Sequence, residues 1–264
     1  MAEINEGEVA RYWDGNSAVW ADQVRKGFDR YRELINNPSV FDLIGPVDGL
    51  RILDAGCGEG HNTRKLARMG ARLTGIDISE KMVERAVELE EESPLGITYH
   101  RCSFSRMSIL EGDAFDMAVA FMSLMDGPDF PAAMKELHRV LHPGGNLVFS
   151  ITHPCFFTEG MRWFMDERTG QERVCVGNYF KNTPYVDKWK FSMSPEVSRL
   201  PEFEVPNFPR TLSEYVNGVL HAGFQLVELR EPRPTEEDCR KYPALEKWRN
   251  HAAIFLQVRA QKPA

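Results

Sequence analysis

The chain has 264 residues, of which 42% are hydrophobic, 32 are basic and 39 are acidic, and its formal net charge is -7. This length suits one large α/β domain or two small ones, each with a proper core. No Lys/Arg run or basic amphipathic stretch is present that could follow a phosphate backbone, so a nucleic-acid partner is disfavoured.

The N-terminal ten residues are acidic and lack an apolar core, so no secretory signal is predicted. The longest apolar stretch, residues 117–125, is too short to span a bilayer. The 5 cysteines are widely spread without a CxxC pair, which favours neither a disulfide framework nor a zinc site. We therefore expect a cytoplasmic protein with reduced thiols, no membrane association and no metal.

Residues 8–14 and 19–35 predict one or two amphipathic helices that are rich in aromatic side chains. Tyr12, Trp13 and Trp20 are candidate substrate-binding residues in these helices, and Tyr31 is a further aromatic. The alternative is that these rings only hold the helices on the core.

Residues 50–60 predict a strand that ends in Asp54 and then turns on Gly56, Gly58 and Gly60. Glycine tolerates positive φ and has no Cβ, so such a loop bends sharply and its N–H groups approach a ligand closely. A helix and a second strand ending in Asp77 follow, which completes a β-loop-α-β unit. This pattern predicts a ligand that contains a nucleoside.

Two nucleoside ligands fit the glycine loop to different degrees. The dinucleotide fingerprint requires its third glycine at position 61, where His61 stands. A buried carboxylate at Asp54 would repel a pyrophosphate but attract an amine, and S-adenosylmethionine carries an amine, a sulfonium and no phosphate. Asp77, about 20 residues beyond the loop, is placed to accept hydrogen bonds from ribose hydroxyls, which both ligands share.

Four segments in order, residues 53–60, 75–79, 115–120 and 136–150, resemble the class I S-adenosylmethionine-dependent methyltransferases, within the bacterial and archaeal group that modifies small molecules. The resemblance covers about residues 50–150. It implies a doubly wound α/β fold with a seven-stranded Rossmann-like sheet, whose last strand is antiparallel, and S-adenosylmethionine as cofactor. It also makes Ile78 an apolar contact to adenine and places the N-terminal helices across the opening of the site.

The chain departs from this family at two strand ends. Relatives commonly have an acidic residue near the adenine amino group after strand three, where this chain has Ser103 followed by Phe104, so we expect a hydroxyl or backbone groups to recognise adenine. Many relatives place a histidine near the sulfonium after strand four, where this chain has residues 121–126 (FMSLMD). We assign Phe121 to the cofactor and Met122 to the substrate, and transfer no catalytic base from the family.

Residues 152–210, which we call the lid segment, are predicted to leave the ligand-binding edge of the sheet after strand five. They contain a hairpin and many aromatic residues, which favours an apolar or aromatic small molecule over a lid that only builds a satellite core. Tyr179 and Tyr185 are the substrate-binding candidates here. In the connection before the last strand, Trp248, Arg249 and His251 are secondary candidates, with an exposed rim as the alternative.

His153 follows strand five directly and is the candidate general base. The alternative is a loop histidine that is hydrogen-bonded to the lid segment. A base is needed only if the acceptor must lose a proton, because the sulfonium already makes the methyl group electrophilic.

The sequence thus predicts a single domain, residues 1–264, with four parts: a helical cap (1–45), a cofactor-binding half (46–151), the lid segment (152–210) and a C-terminal part (211–264). The predicted function is methyl transfer from S-adenosylmethionine to a small-molecule acceptor by a monomer or homodimer. The alternatives are transfer of a different group from the same cofactor and a non-catalytic cofactor-binding protein.

Overall fold

The computed structural model describes residues 4–191 and 199–264. Its strands are β1 (Arg51–Ala55), β2 (Arg72–Asp77), β3 (Thr98–Arg101), β4 (Phe115–Phe121), β5 (Leu141–Thr152), β6 (Arg162–Asp166), β7 (Gln171–Cys175), β8 (Tyr185–Trp189), β9 (Phe203–Asn207), β10 (Gln225–Arg230) and β11 (Phe255–Gln261). Its α-helices are α1 (Glu6–Arg25), α2 (Asn37–Ile44), α3 (His61–Arg68), α4 (Glu80–Glu92), α5 (Phe130–Val140), α6 (Leu212–His221), α7 (Glu236–Lys241) and α8 (Glu246–Asn250).

A seven-stranded sheet in the order β10-β11-β5-β4-β1-β2-β3 forms the centre of the molecule. The pairs from β5 through β4, β1 and β2 to β3 are parallel, and β11 runs antiparallel to both β5 and β10. The predicted fold class is therefore confirmed. Because the carboxyl ends of the parallel strands share one edge, the loops that follow β1 to β5 meet there.

Both faces of the sheet are buried, as expected for parallel strands covered by helices. Adjacent residues of β1 show the alternation: Leu53 belongs to an apolar cluster with Phe130 and Phe149, whereas Ile52 belongs to another cluster with Val40 and Leu66. Helices α5 and α6 therefore cover one face, and α2 and α3 cover the other.

The N-terminal residues, predicted to form one or two helices, are organised around one long helix. This helix, α1, covers all of the first predicted stretch and residues 19–25 of the second, and its first turn is fixed by a capping box between Asn5 and Glu8. A π-helical turn (Arg32–Asn36) then leads directly into α2. The last strand starts at Phe255, and Ala252 before it packs with Trp248 instead of continuing the sheet.

The lid segment contains two hairpins outside the main sheet. The predicted hairpin is present as β6 paired with β7, and a second hairpin, not predicted, pairs β8 with β9. Strand β9 is tied to α1, since Asn16 Nδ2 donates to the carbonyl of Glu204 at 2.9 Å.

Residues 1–3 of the predicted cap and 192–198 of the predicted lid segment lie outside the described residues. None of the helices in the described part of the chain is long and apolar enough to cross a membrane.

Candidate functional site

A cavity of about 510 Å³ opens at the carboxyl edge of the sheet. Its lining comes from the loops after β1, β2, β3 and β4, from α1, from the lid segment and from Trp248. Predicted site residues in the lining are Trp13, Trp20, Asp54, Gly56, Gly58, Asp77, Ile78, Ser103, Phe104, Phe121, Met122 and Tyr185.

The glycine loop fixes Asp77 through backbone hydrogen bonds. The N–H of Gly58 donates to Asp77 Oδ2, and the N–H of Ser79 donates to Oδ1, both at 2.9 Å. Desolvation raises the pKa of Asp77 to about 6 despite these two donors. The carboxylate thus lies at the cavity wall in a fixed orientation, with lone pairs left for further donors.

Two of the glycines are required by close approach as well as by φ. A Cβ at Gly56 (φ 82°) would lie 2.3 Å from Ser123 Cβ, and one at Gly60 (φ 85°) would lie 2.4 Å from the Tyr99 hydroxyl. Gly60 precedes α3 and is absent from the cavity lining, so its visible role is to pack the start of that helix against Tyr99. The predicted cofactor contact of Gly60 gains no support from this placement.

Two buried carboxyl groups lie at the end of β1 and in the loop after it. Thr63 Oγ1 donates to Asp54 Oδ2 at 2.6 Å, whereas Asp54 Oδ1 and Glu59 Oε1 have no hydrogen-bond partner among the described residues. Burial raises the pKa of Asp54 to about 7, and the neighbouring charges of Asp77 and Glu59 act in the same direction. Such oxygens are suited to a cationic amine.

Arg32 brings a positive charge to the same cavity. Its Nε lies 3.0 Å from Asp29 Oδ2, and its buried Nη2 has no hydrogen-bond partner among the described residues. Asp29 and Arg32 both line the cavity, as does His61 at the start of α3. The cavity therefore offers unpaired carboxylate oxygens and an unpaired guanidinium nitrogen, the complement of an α-amino acid group.

The loop after β3 is bound by the N-terminal helix. Ser103 Oγ donates to Glu6 Oε1 at 2.7 Å, and the Ser105 hydroxyl donates to the same oxygen. Glu6, Ser103 and Phe104 all line the cavity. The hydroxyl that the sequence assigned to adenine is thus already engaged by a carboxylate.

The chain after β4 adopts an unusual backbone conformation. Met122 has φ 56°, and its N–H donates to the carbonyl of Ser150 at 3.0 Å. A non-glycine residue in this region is uncommon, and such strain concentrates at functional sites. Asp126 follows at the cavity wall, where burial and the charge of Asp77 raise its pKa well above the ordinary value, while Arg210 opposes the shift.

Aromatic rings form the remaining wall of the cavity. Trp13 and Trp20 of α1 both line the cavity. The ring of Trp20 contacts that of Trp13 edge-on, with 5.2 Å between centroids, and that of Trp189 in the lid segment, with 5.8 Å between centroids. The contact with Trp189 holds α1 against the lid segment. Trp248 is only 8% exposed and stacks on Phe157. Of the three secondary candidates, Trp248 is therefore in the cavity wall and not on an exposed rim.

Besides Gly60 and the secondary candidates Arg249 and His251, three predicted residues are not brought to the cavity: His153, Tyr12 and Tyr179. His153 is 2% exposed; its Nε2 lies 2.7 Å from Glu231 Oε1, and its Nδ1 accepts the N–H of Cys155 at 3.2 Å. Burial lowers the pKa of His153, although Glu231 acts to raise it. With both ring nitrogens engaged, the geometry matches the alternative of a structural loop histidine.

Tyr179 lies elsewhere for a similar reason, because its hydroxyl accepts the N–H of Leu212 at 2.9 Å. Sequence reasoning in turn missed seven charged residues of the lining: Glu6, Asp29, Arg32, Glu59, Asp126 and, in the lid segment, Asp187 and Lys190. Glu59 lies within the glycine loop and Asp126 follows a parallel strand, so their positions carried a signal. Glu6, Asp29 and Arg32 belong to no motif and reach the site through tertiary packing.

Comparison with known proteins gives a consistent picture. Residues 52–145 match a family model described as "Methyltransferase domain". A crystal structure of an S-adenosylmethionine-dependent methyltransferase from Mesorhizobium loti superposes with a TM-score of 0.69 at 28% identity, covering 85% of this chain and 96% of that one.

Two sequence relatives add to this. An uncharacterised protein of Haemophilus influenzae is 26% identical over 244 residues, covering 87% of this chain and 88% of that protein. A ubiquinone biosynthesis O-methyltransferase of Ralstonia nicotianae is 30% identical over 146 residues. That match spans 54% of this chain and only 57% of the Ralstonia enzyme.

Proposed function

The chain belongs to the class I S-adenosylmethionine-dependent methyltransferases, and we propose that it methylates a small-molecule acceptor that is apolar or aromatic in part. One observation carries the proposal: a single cavity joins the glycine loop and Asp77 to a wall built from Trp13, Trp20 and Trp248. Cofactor and acceptor groups thus share one cavity.

The charged groups of the cavity fit the cofactor. In this proposal Asp77 accepts hydrogen bonds from the ribose hydroxyls. Asp54 and Glu59 accept hydrogen bonds from the α-ammonium group, and Arg32 forms an ion pair with the α-carboxylate. The unpaired oxygens of Asp54 and Glu59 and the unpaired Nη2 of Arg32 support this division. When bound, S-adenosylmethionine supplies a methyl group that its sulfonium has made electrophilic.

The acceptor class is inferred from the opposite wall. Aromatic rings and a volume of about 510 Å³ are typical of a small-molecule site. The formal charge of -7 argues against a polynucleotide acceptor. The name of the Ralstonia relative supports an acceptor of this kind, and O-methylation is the transfer we favour.

The chain's own residues would act mainly by orientation and exclusion of water. For an acceptor that must lose a proton, we assign the proton to the Asp126 carboxylate instead of His153. Asp126 lines the cavity, and its raised pKa brings the carboxyl group closer to the range in which a general base is effective. The O–H or N–H bond of the acceptor breaks, its electron pair stays on the nucleophilic atom, and the proton binds Asp126.

Calorimetry with S-adenosylhomocysteine tests the cofactor assignment. We expect Asp77→Ala to weaken binding by about 10- to 100-fold, because a charge-assisted hydrogen bond is lost. Asp22→Asn is the control, because Asp22 lies on the exposed face of α1 and pairs with Lys26. Tight binding of NAD without binding of S-adenosylhomocysteine would contradict the proposal.

The acceptor assignment needs its own test. Incubating the protein with S-adenosylmethionine that carries a labelled methyl group and with fractionated metabolites should label a small apolar or aromatic compound. Label that appears only in added RNA, or that stays on methylthioadenosine while an unlabelled group enters the acceptor, would contradict the assignment.

A further inference from the structure

Glu6 is an acidic residue at the cavity wall that no motif explains. Its Oε1 accepts hydrogen bonds from the hydroxyls of Ser103 and Ser105, which lie 97 and 99 residues further along the chain. These serines belong to the loop after β3, next to the loop that carries Asp77. The two serine hydroxyls act as donors and so hold the carboxylate in place.

The chemistry of this end of the cavity follows from its neighbours. Asp77 and Ile78 mark the position of the nucleoside, and Ser103, Phe104 and Glu6 line the same cavity at the end of the neighbouring strand, β3. An adenine base presents an exocyclic amino group, which donates hydrogen bonds only. A carboxylate accepts hydrogen bonds only, so a carboxylate that is held at the base end selects a base with an amino group.

We propose that Glu6 accepts a hydrogen bond from the exocyclic amino group of the cofactor's adenine and thereby makes α1 part of the cofactor site. This inference rests on the proposed function. It revises the sequence-based expectation for Ser103, whose hydroxyl would orient Glu6 instead of reading the base by itself.

A second set of contacts connects α1 to the nucleoside loops. Asp14 Oδ1 accepts the Ser79 hydroxyl at 2.6 Å and the N–H of Lys81 at 3.0 Å. Ser79 lies two residues after Asp77, whose Oδ1 accepts the Ser79 N–H. Glu6 and Asp14 thus bind α1 to two neighbouring strand ends, and the same helix carries Trp13 and Trp20 of the acceptor wall.

Two ligands that differ only in the base test the inference: S-adenosylhomocysteine and S-inosylhomocysteine, in which a carbonyl oxygen replaces the amino group. The unmodified protein should bind the adenosine compound at least about 10-fold more tightly, because the carbonyl would face the carboxylate. In Glu6→Gln the ratio should fall to about threefold or less, since the amide also offers a donor to the carbonyl.

The matched control is Glu8→Gln, which removes the same charge from the same turn of α1. Glutamine also serves in a capping box, so this variant should keep both the helix start and the selectivity ratio. Thermal unfolding of each variant checks that α1 remains folded, and the ratio within one variant is independent of the fraction of active protein.

Four results separate the possibilities. A ratio that falls in Glu6→Gln and is retained in Glu8→Gln supports the inference. Equal weakening of the binding of both ligands in Glu6→Gln assigns Glu6 a purely structural role and overturns the inference. A ratio near one in the unmodified protein also overturns the inference. In both cases binding of S-adenosylhomocysteine would still support the proposed function. Failure of the unmodified protein to bind either ligand would contradict the proposed function itself.

Discussion

The cofactor half and the acceptor half of the cavity are built in opposite ways. At the ribose end the cofactor half is local in sequence: Gly58 and Ser79 bind Asp77 through backbone N–H groups, and Gly58 is only 19 residues from Asp77. The acceptor half joins α1, the lid segment and Trp248, which are far apart in the chain. Local backbone contacts give the first half a motif that can be read, whereas the second half depends on side chains that meet only after folding.

Replacement of the loop glycines should give the largest effect and tests whether the cofactor half is rigid. Gly56→Ala combines positive φ with a contact of 2.3 Å to Ser123, so we expect a loss of about 2 to 4 kcal/mol in the free energy of unfolding. Gly58→Ala is the matched control, because it has positive φ but no atom within 4 Å of the added Cβ, and it should lose about 1 kcal/mol. Thermal unfolding measures both.

Equal losses in the two glycine variants would show that the loop yields around Ser123. The cofactor half would then be as adaptable as the acceptor half, and the contrast between them would fail.

The pH dependence of ligand binding should give an intermediate effect. Burial raises the pKa of Asp54 to about 7, so Asp54 binds its proton between about pH 7 and 4 in the folded chain but not in the unfolded chain. The unliganded protein should therefore gain stability from Asp54 as the pH falls through 7. The affinity for S-adenosylhomocysteine should instead fall, by about tenfold from pH 8 to 6, as the carboxylate facing the α-ammonium is neutralised.

Asp77 acts in the same direction at lower pH, because its pKa is raised to about 6. Calorimetry across this range, together with thermal unfolding, measures both trends. Asp54→Asn should flatten the upper part of each profile, and profiles unchanged by this variant would disprove the assignment to Asp54.

Substitution of His153 should give the smallest effect and tests the acceptor half. The ring joins the end of β5 to Glu231 in the loop after β10, so His153→Ala should lower the free energy of unfolding by about 1 to 2 kcal/mol. Affinity for S-adenosylhomocysteine should stay within about twofold, because the ring is outside the cavity. Urea unfolding and calorimetry provide these values.

A result with unchanged stability but a kcat about 100-fold lower would restore the predicted role of His153 as general base. It would also require the ring to reach the cavity in a conformation different from the one described.

The sequence predicts which residues at strand ends reach the cavity only as far as backbone geometry alone determines their position. Asp77, Ile78 and Phe121 lie in the cavity lining because residues after parallel strands collect at one edge. His153 also follows a parallel strand, yet its side chain points away from the cavity, toward the exposed side chain of Glu231. The rule locates the backbone, but side-chain direction depends on packing that no local pattern contains.

In the helical cap the helices can be predicted from the sequence, but the contacts of their side chains cannot. The helical pattern of the N-terminal residues was visible, but Glu6 and Arg32 had no recognisable partner in sequence, because their neighbours are set by how α1 and the π-helical turn lie over the sheet. Trp248 was assigned a secondary place for the same reason, since its burial arises from stacking on Phe157 in the lid segment.

The cysteine within the glycine loop gives this site a particular chemical property. Cys57 is 8% exposed, and burial together with the charges of Asp77 and Asp54 raises the pKa of its thiol well above the ordinary value. A thiol that stays protonated reacts slowly with alkylating and oxidising reagents. Cys175, by contrast, is exposed at the end of β7. A maleimide dye should therefore label the β6–β7 hairpin before it reaches the glycine loop, which gives a fluorescent reporter of the lid segment with the cofactor half left intact.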